Sequence, residues 1–402
     1  MERIGHAMTR EFEIVVFGAS GFTGKLVAEY IARDPARLRW AIAGRNLAKL
    51  ESLGLGAPIV VADGLDRAAL AALARRTKVV CTSAGPFASY GSELVAACAD
   101  AGTHYCDLTG EVQWMRRMID CHDARAKATG ARIVHAAGFD SIPSDLGTWA
   151  LQHEFVARHG RPATRVTALF GETSGGVSGG TVASALRAAT EAATDPDVRA
   201  LFGNPYALDP ETTADAARPR CPDEVGIGWD ARFKLFTMPF VMAQVNTRVV
   251  RRSHALAGFP WGPEFCYREV MSAPASARGL AMALGVAGAL GSFGLASRLP
   301  AVRAFIARRA PQPGEGPSPE VRARGHWKAR FVAEAGTDRM DFVAADRADP
   351  GHGSTATMLG ESALCLAADP LSSDPGVTTP SLAMGQHLLD RLRRAGLTFA
   401  VA

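Results

Sequence analysis

Apolar positions in the first third of the chain fall into short runs, and helix-spaced stretches separate them. Ile14-Val15-Val16-Phe17, Trp40-Ala41-Ile42-Ala43, Ile59-Val60-Val61, Lys78-Val79-Val80-Cys81-Thr82, His104-Tyr105 and Arg132-Ile133-Val134-His135 read as strands. Helical spacing fills Lys25–Ala32, Asn46–Leu53, Asp66–Arg75, Gly91–Ala101 and Val112–Thr129. Strands apolar on both faces, alternating with helices, predict a parallel sheet covered on both sides. The pattern changes near Arg165. A strand at Val166–Phe170 is followed by the flexible turn Ser174–Thr181 and a helix over Val182–Ala193. Residues 203–230 are rich in Pro, Asp and Gly and predict an irregular surface excursion. Strand-like runs recur at Gln244–Val250, Phe265–Met271 and Trp327–Ala333, and helices at Ser354–Ala368 and Ser381–Ala395 close the chain.

The first strand ends on a glycine turn that changes the picture. Gly18, Ala19, Ser20, Gly21, Phe22, Thr23 and Gly24 place glycines at three-residue spacing between a strand and a helix. Such a turn lets backbone N–H groups approach a pyrophosphate, which the helix N-terminus then receives. The spacing is G-x-x-G-x-x-G, a variant of the commoner G-x-G-x-x-G. After the second strand, where an NAD site places a carboxylate for the ribose 2′-hydroxyl, this chain has Arg45. A guanidinium suits a 2′-phosphate, so NADPH is the expected cofactor, preferred over NAD. Asp63, after the third strand, borders the adenine or caps the helix that follows. Ser83-Ala84-Gly85-Pro86, after the fourth, passes the nicotinamide ribose. The fold class is α/β: an N-terminal Rossmann-type doubly wound parallel sheet, a second α+β domain and C-terminal helices. The expected divisions are a loose tail at 1–11, a nucleotide domain at 12–150, a substrate domain at 151–350, and helices at 351–402 packing back on the first domain.

Composition narrows the class. A formal charge of +4 over 402 residues, without an aromatic-and-basic RNA motif or a zinc finger, argues against nucleic acid. Seven scattered cysteines without C-x-x-C predict reduced thiols and a cytoplasmic protein. His153-Glu154 is followed by His159, a spacing that cannot put two imidazoles on one helix face, so no metal is expected. No Tyr has Lys four positions on, and there is no G-x-S-x-G elbow.

The loops at the strands' carboxyl ends are the candidate catalytic zone. Asp107, Thr109 and Glu111 offer groups for proton transfer, and Ser141 lies in the loop Gly138–Asp145. Asp107, Thr109 and Ser141 are the catalytic candidates. Each also has a capping reading: Asp107 and Ser141 suit helix starts, as do Ser144 and Asp145.

The glycine turn, the Ala43-Gly44-Arg45 turn, TSAGPFASYG (82–91), YCDLTGE (105–111), GFDSIPSDLG (138–147), VSGGTVAS (177–184), QVNTRVVRRS (244–253) and RARGHW (322–327) form a series. Together they resemble the saccharopine dehydrogenase-like family, closest to its trans-acting enoyl reductase branch from mycobacterial lipid synthesis, over nearly the whole chain. The resemblance implies NADPH as hydride donor and reduction of the α,β-double bond of a polyketide or fatty acyl chain held by a separate carrier or synthase protein. It transfers no catalytic residue. Imine or carbonyl reduction, as elsewhere in the family, and a non-catalytic NADP-holding protein at a lipid surface stay open. The last reading comes from Gly279–Ser297, 19 residues without a charge, followed by Arg298, Arg303, Arg308 and Arg309. Segment 279–309 suits a core helix, a homodimer interface, a peripheral membrane contact or an acidic acyl-carrier protein.

Overall fold

The computed structural model describes residues 10–171, 173–174, 179–213, 219, 221–296, 299–309 and 316–402. Most of the expected tail, part of the turn after Ser174 and most of the linker at 311–319 lie outside them. The strands, in chain order, are β1 (Phe12–Phe17), β2 (Trp40–Gly44), β3 (Ile59–Val61), β4 (Thr77–Thr82), β5 (His104–Asp107), β6 (Arg132–Val134) and β7 (Arg165–Phe170). There follow β8 (Gly228–Asp230), β9 (Leu235–Met238), β10 (Cys266–Pro274), β11 (Trp327–Ala335), β12 (Asp338–Asp346), β13 (Gly376–Thr378) and β14 (Thr398–Val401).

The first sheet runs β13-β6-β5-β4-β1-β2-β3, with every pair parallel. The strand order therefore reverses direction between β1 and β4. A crevice opens at the carboxyl ends at such a switch point, and ligands of doubly wound sheets bind there. Ile14, Val15, Val79 and Val80 are fully buried, as the uninterrupted apolar runs require of strands covered on both faces. The helix Thr355–Ala368 supplies part of that cover, packing on β1, β4 and β5.

The second sheet runs β14-β12-β11-β7-β10-β9-β8; β7 and β10 are parallel and the other pairs antiparallel. The helix Ile142–His159 starts beside β6 and packs on β11 and β12, joining the two sheets through one continuous core. Its Gly147 lies under Phe331, whose ring would be 3.2 Å from a Cβ there.

Two expectations fail. Gln244–Val250 is not a strand but part of the helix Ala243–Leu256. Its β-branched residues favour a strand by propensity, yet it forms a helix that is buried on nearly every side. Its polar residues are buried against fixed partners. Arg248 donates to Asp223 and to the Phe202 carbonyl, Arg251 to the carbonyls of Pro205 and Cys221, and Arg252 to those of Leu208 and Val377. These guanidiniums clamp the described part of the irregular 203–230 excursion onto the body. The excursion also carries Cys221, which forms a disulfide with Cys266, with Cα atoms 5.8 Å apart. That corrects the expectation of reduced thiols throughout. The partners are 45 positions apart, so nothing local signals the pairing.

Candidate active site

The glycine loop and the loop after β4 meet at the switch point. Gly18 has φ +81°, and a Cβ there would lie 2.9 Å from the Cβ of Ala84. A Cβ on Gly24 would be 2.2 Å from the Gly18 carbonyl oxygen and 2.8 Å from the Ser83 hydroxyl. No side chain larger than hydrogen fits at Gly24, so the turn is held tight by packing. Gly21 caps the helix Phe22–Ala32 without a side-chain hydrogen bond, which leaves first-turn N–H groups to receive phosphate oxygens. The second domain covers the loop: the Phe22 ring meets His352 edge-on at 5.0 Å and lies 5.4 Å from the Arg322 guanidinium carbon.

Arg45 follows the buried Gly44 at the end of β2. It is exposed, and no ion pair holds it among the described residues. Ser20 of the glycine loop lies close by, its hydroxyl 3.8 Å from where a Gly44 Cβ would be. A free guanidinium beside the glycine loop fits a 2′-phosphate. Asp63 is exposed and accepts from the Leu65 N–H at 2.9 Å, whereas Asp66 caps the helix Arg67–Arg76. The residues present thus fit NADPH, with Gly18–Gly24 at the pyrophosphate, Arg45 at the 2′-phosphate, and Ser83–Pro86 bordering the nicotinamide side.

The carboxyl ends of β4, β5 and β6 lie side by side, with Thr82 opposite Asp107 and Cys106 opposite Val134. The three catalytic candidates converge here, but all are fully buried. Asp107 accepts from Tyr105 Oη at 2.9 Å, from the N–H groups of Thr109 and Ala136 at 3.0 and 3.1 Å, and contacts His135 Nδ1 at 2.8 Å. Its oxygens are taken up, so it acts by positioning β5, β6 and His135. Thr109 Oγ1 accepts from the Glu111 N–H at 3.1 Å. Ser141 Oγ donates to Asn246 Oδ1 at 2.9 Å; Asn246 donates to Glu269 at 2.6 Å, and Tyr267 donates to the other Glu269 oxygen at 2.6 Å. This chain of bonds ties the β6 loop to the second sheet. Burial pushes the Glu269 carboxyl up to about 7.

Glu111 spans the site's other side. It accepts from the N–H groups of Phe87 and Ala88 at 2.8 and 3.0 Å and from the Ser184 hydroxyl at 2.8 Å. It therefore fixes the loop after β4 and joins it to the helix Gly179–Thr194.

The residue that the sequence reading passed over is Asp140. Its carboxyl oxygens lie between two glycines, 3.9 Å from a Cβ built on Gly110 and 3.4 Å from one built on Gly138. Met242 and Val245 line the Gly110 side, and Leu108 and Thr355 the Gly138 side. Burial, reinforced by the nearby Asp107 charge, lifts Asp140 to about 7. A carboxylic acid poised near neutrality at the strands' carboxyl ends can hold and release a proton. Gly138, two positions before Asp140, was the local sign; Gly110 comes near only through the fold.

Comparison with known proteins agrees with this geometry. Residues 14–134 match the saccharopine dehydrogenase NADP binding domain. The chain is 42% identical over 412 residues to a Mycobacterium tuberculosis protein named as a candidate trans-acting enoyl reductase, covering 98% of each chain. It is 40% identical over 407 residues to the trans-acting enoyl reductase of Mycobacterium leprae, covering 96% of this chain and 97% of that one. Among solved structures, apo saccharopine dehydrogenase (L-Glu forming) from Saccharomyces cerevisiae superposes with a TM-score of 0.54 at 13% identity, covering 97% of this chain and 99% of that one, and so shares the fold. A nucleotide domain of this kind, with full-length likeness to named reductases, makes the chain an NADPH-dependent oxidoreductase that belongs to the saccharopine dehydrogenase-like family, among its trans-acting enoyl reductases.

Proposed function

We propose that this protein reduces the α,β-double bond of a large apolar acyl thioester presented by a separate carrier or polyketide synthase protein, in lipid or glycolipid synthesis. The observation that carries the reading is the place of Asp140: its carboxyl lies beside Gly110 and Gly138 at the strands' carboxyl ends, where burial raises it to about 7. NADPH supplies the hydride when bound. Asp140 holds a proton on its carboxyl and delivers it to the α-carbon. Gly110, exposed and with no atom nearer than 3.7 Å to a Cβ built there, leaves the side from which a substrate approaches that carboxyl. The Ser141–Asn246–Glu269 bonds fix the loop that carries Asp140, and Glu111 fixes the loop bordering the nicotinamide. Thr109, whose hydroxyl proton is not used by the Glu111 N–H bond, is the hydrogen-bond donor for the thioester carbonyl, while Ser141 serves by holding the loop.

The test is NADPH oxidation, followed by absorbance, with an enoyl thioester on a carrier protein and the same acyl group on a small thiol. Turnover with the carrier-bound form supports the proposal. Silence on both, with NADPH binding intact and turnover on keto acid plus amine, would replace it with imine reduction.

A further inference from the structure

The helix Ala277–Ala296 is apolar, yet only 11% of its Ala277–Gly294 stretch is buried, which rules out the core-helix reading. One narrow seam docks it on β9 and β10. Gly279 sits where a Cβ would be 2.0 Å from the Pro274 carbonyl oxygen, and Ala283 packs with Met238 and Ala273. Leu284 is 57% exposed and Phe293 38% exposed. These two are nine positions apart, about half a turn from each other around the axis. Around Gly285, Gly288 and Gly291 a Cβ would meet nothing within 4 Å. The chain from Ala275 to Arg309 holds five arginines and no carboxylate. Arg278, Arg308 and Arg309 are exposed, Arg309 lying over a Phe305 ring that is itself 54% exposed.

We infer that this helix, with the basic helix Pro300–Arg309, docks on an anionic lipid surface. A protein partner covers one side of a helix, whereas Leu284 and Phe293 present apolar surface on opposite flanks, as immersion requires. The arginines complement anionic headgroups. Leu284–Phe293 extends about 15 Å at ~1.5 Å per residue, about half of a ~30 Å hydrocarbon core. With the near end fixed on the sheet, the helix reaches into one leaflet and does not span. The Pro300–Arg309 helix packs on Gly179–Thr194, whose Ser184 bonds Glu111 at the site, so the bound surface adjoins the route by which an apolar chain would enter. The inference goes beyond enoyl reduction and does not depend on it.

The full-length protein is sedimented with phosphatidylcholine vesicles with and without phosphatidylglycerol, beside L284E/F293E and R308E/R309E. NADPH binding, read by fluorescence, checks folding of each variant. The expected result is co-sedimentation with the anionic vesicles, weaker on phosphatidylcholine alone. L284E/F293E should lower the apparent affinity at least about tenfold, and R308E/R309E should remove the preference for anionic lipid. Wild-type protein left in the supernatant with both vesicle types overturns the proposal, as does equal sedimentation of L284E/F293E. A dimer that L284E/F293E converts to monomer, without vesicle binding, also overturns it and makes the helix an interface between copies.

Discussion

Replacing Asp140 by Asn separates the proton on its carboxyl from the shape of the site. The carboxyl stands at about 7 in the folded protein against an ordinary value of 3.8. That rise is about 3 pH units, or ~4 kcal/mol of penalty for the ionised form, an upper value because the residue keeps some exposure. The folded value is raised, so the stability that depends on the protonated form is complete below about pH 4 and is lost as pH rises through about 7. Asp140→Asn removes this loss. The variant's advantage over the wild type should therefore widen between about pH 5 and about pH 8.5, by up to ~3 kcal/mol. Urea unfolding of both proteins at the two pH values measures the difference, and subtraction cancels the similar fall expected from Glu269. Asn cannot donate the proton, so kcat/KM should fall about 10²- to 10⁴-fold. The wild type should lose activity above about pH 7 and the residual activity of the variant should not. Full turnover by Asp140→Asn, with the alkaline limb unchanged, would refute the role given to this carboxyl. A stability gap independent of pH would refute the burial argument.

Gly24→Ala should abolish tight NADPH binding, since its Cβ would lie 2.2 Å from the backbone oxygen of Gly18; cofactor fluorescence titration reads this, and unfolding should show a cost of about 1–3 kcal/mol. Arg45→Ala should weaken NADPH by about 10- to 100-fold, the worth of a charge-assisted phosphate contact, and leave NADH nearly unchanged; equal loss for both cofactors would move the 2′-phosphate elsewhere. Cys221→Ser with Cys266→Ser opens a link between residues 45 apart, for which chain entropy gives about 4 kcal/mol; an unchanged unfolding midpoint under oxidising conditions would mean the two thiols are not joined in solution.

The first sheet was legible because its strands up to β6, the short β5 excepted, are built on apolar or β-branched runs closed by glycine or a polar loop. The turn Gly18–Gly24 was legible for the same reason: its geometry is local to a few residues. β13 was not, since Gly376–Thr378 is too short to show a period and takes its place only by pairing with β6. The helix Ala243–Leu256 misled because its arginines are buried against carbonyls from distant segments, which no window of sequence contains. Asp140 escaped for a related reason. Its raised value depends on Gly110, thirty positions upstream, and on the Asp107 charge, and both come near only when β5 and β6 pair.

The position of β13 bears on how the protein can be made. The parallel sheet that binds the nucleotide ends in a strand drawn from residues 376–378, and the helix Thr355–Ala368 roofs its β1, β4 and β5. A chain emerging from the ribosome at about 5–20 residues per second thus displays β6 as an open edge and the sheet as an uncovered face until residues 355–378 have followed. The nucleotide domain cannot finish folding first and wait for its partner; its sheet closes only after residues 355–378 have emerged. An excised fragment ending near residue 150 should accordingly be prone to edge-to-edge aggregation.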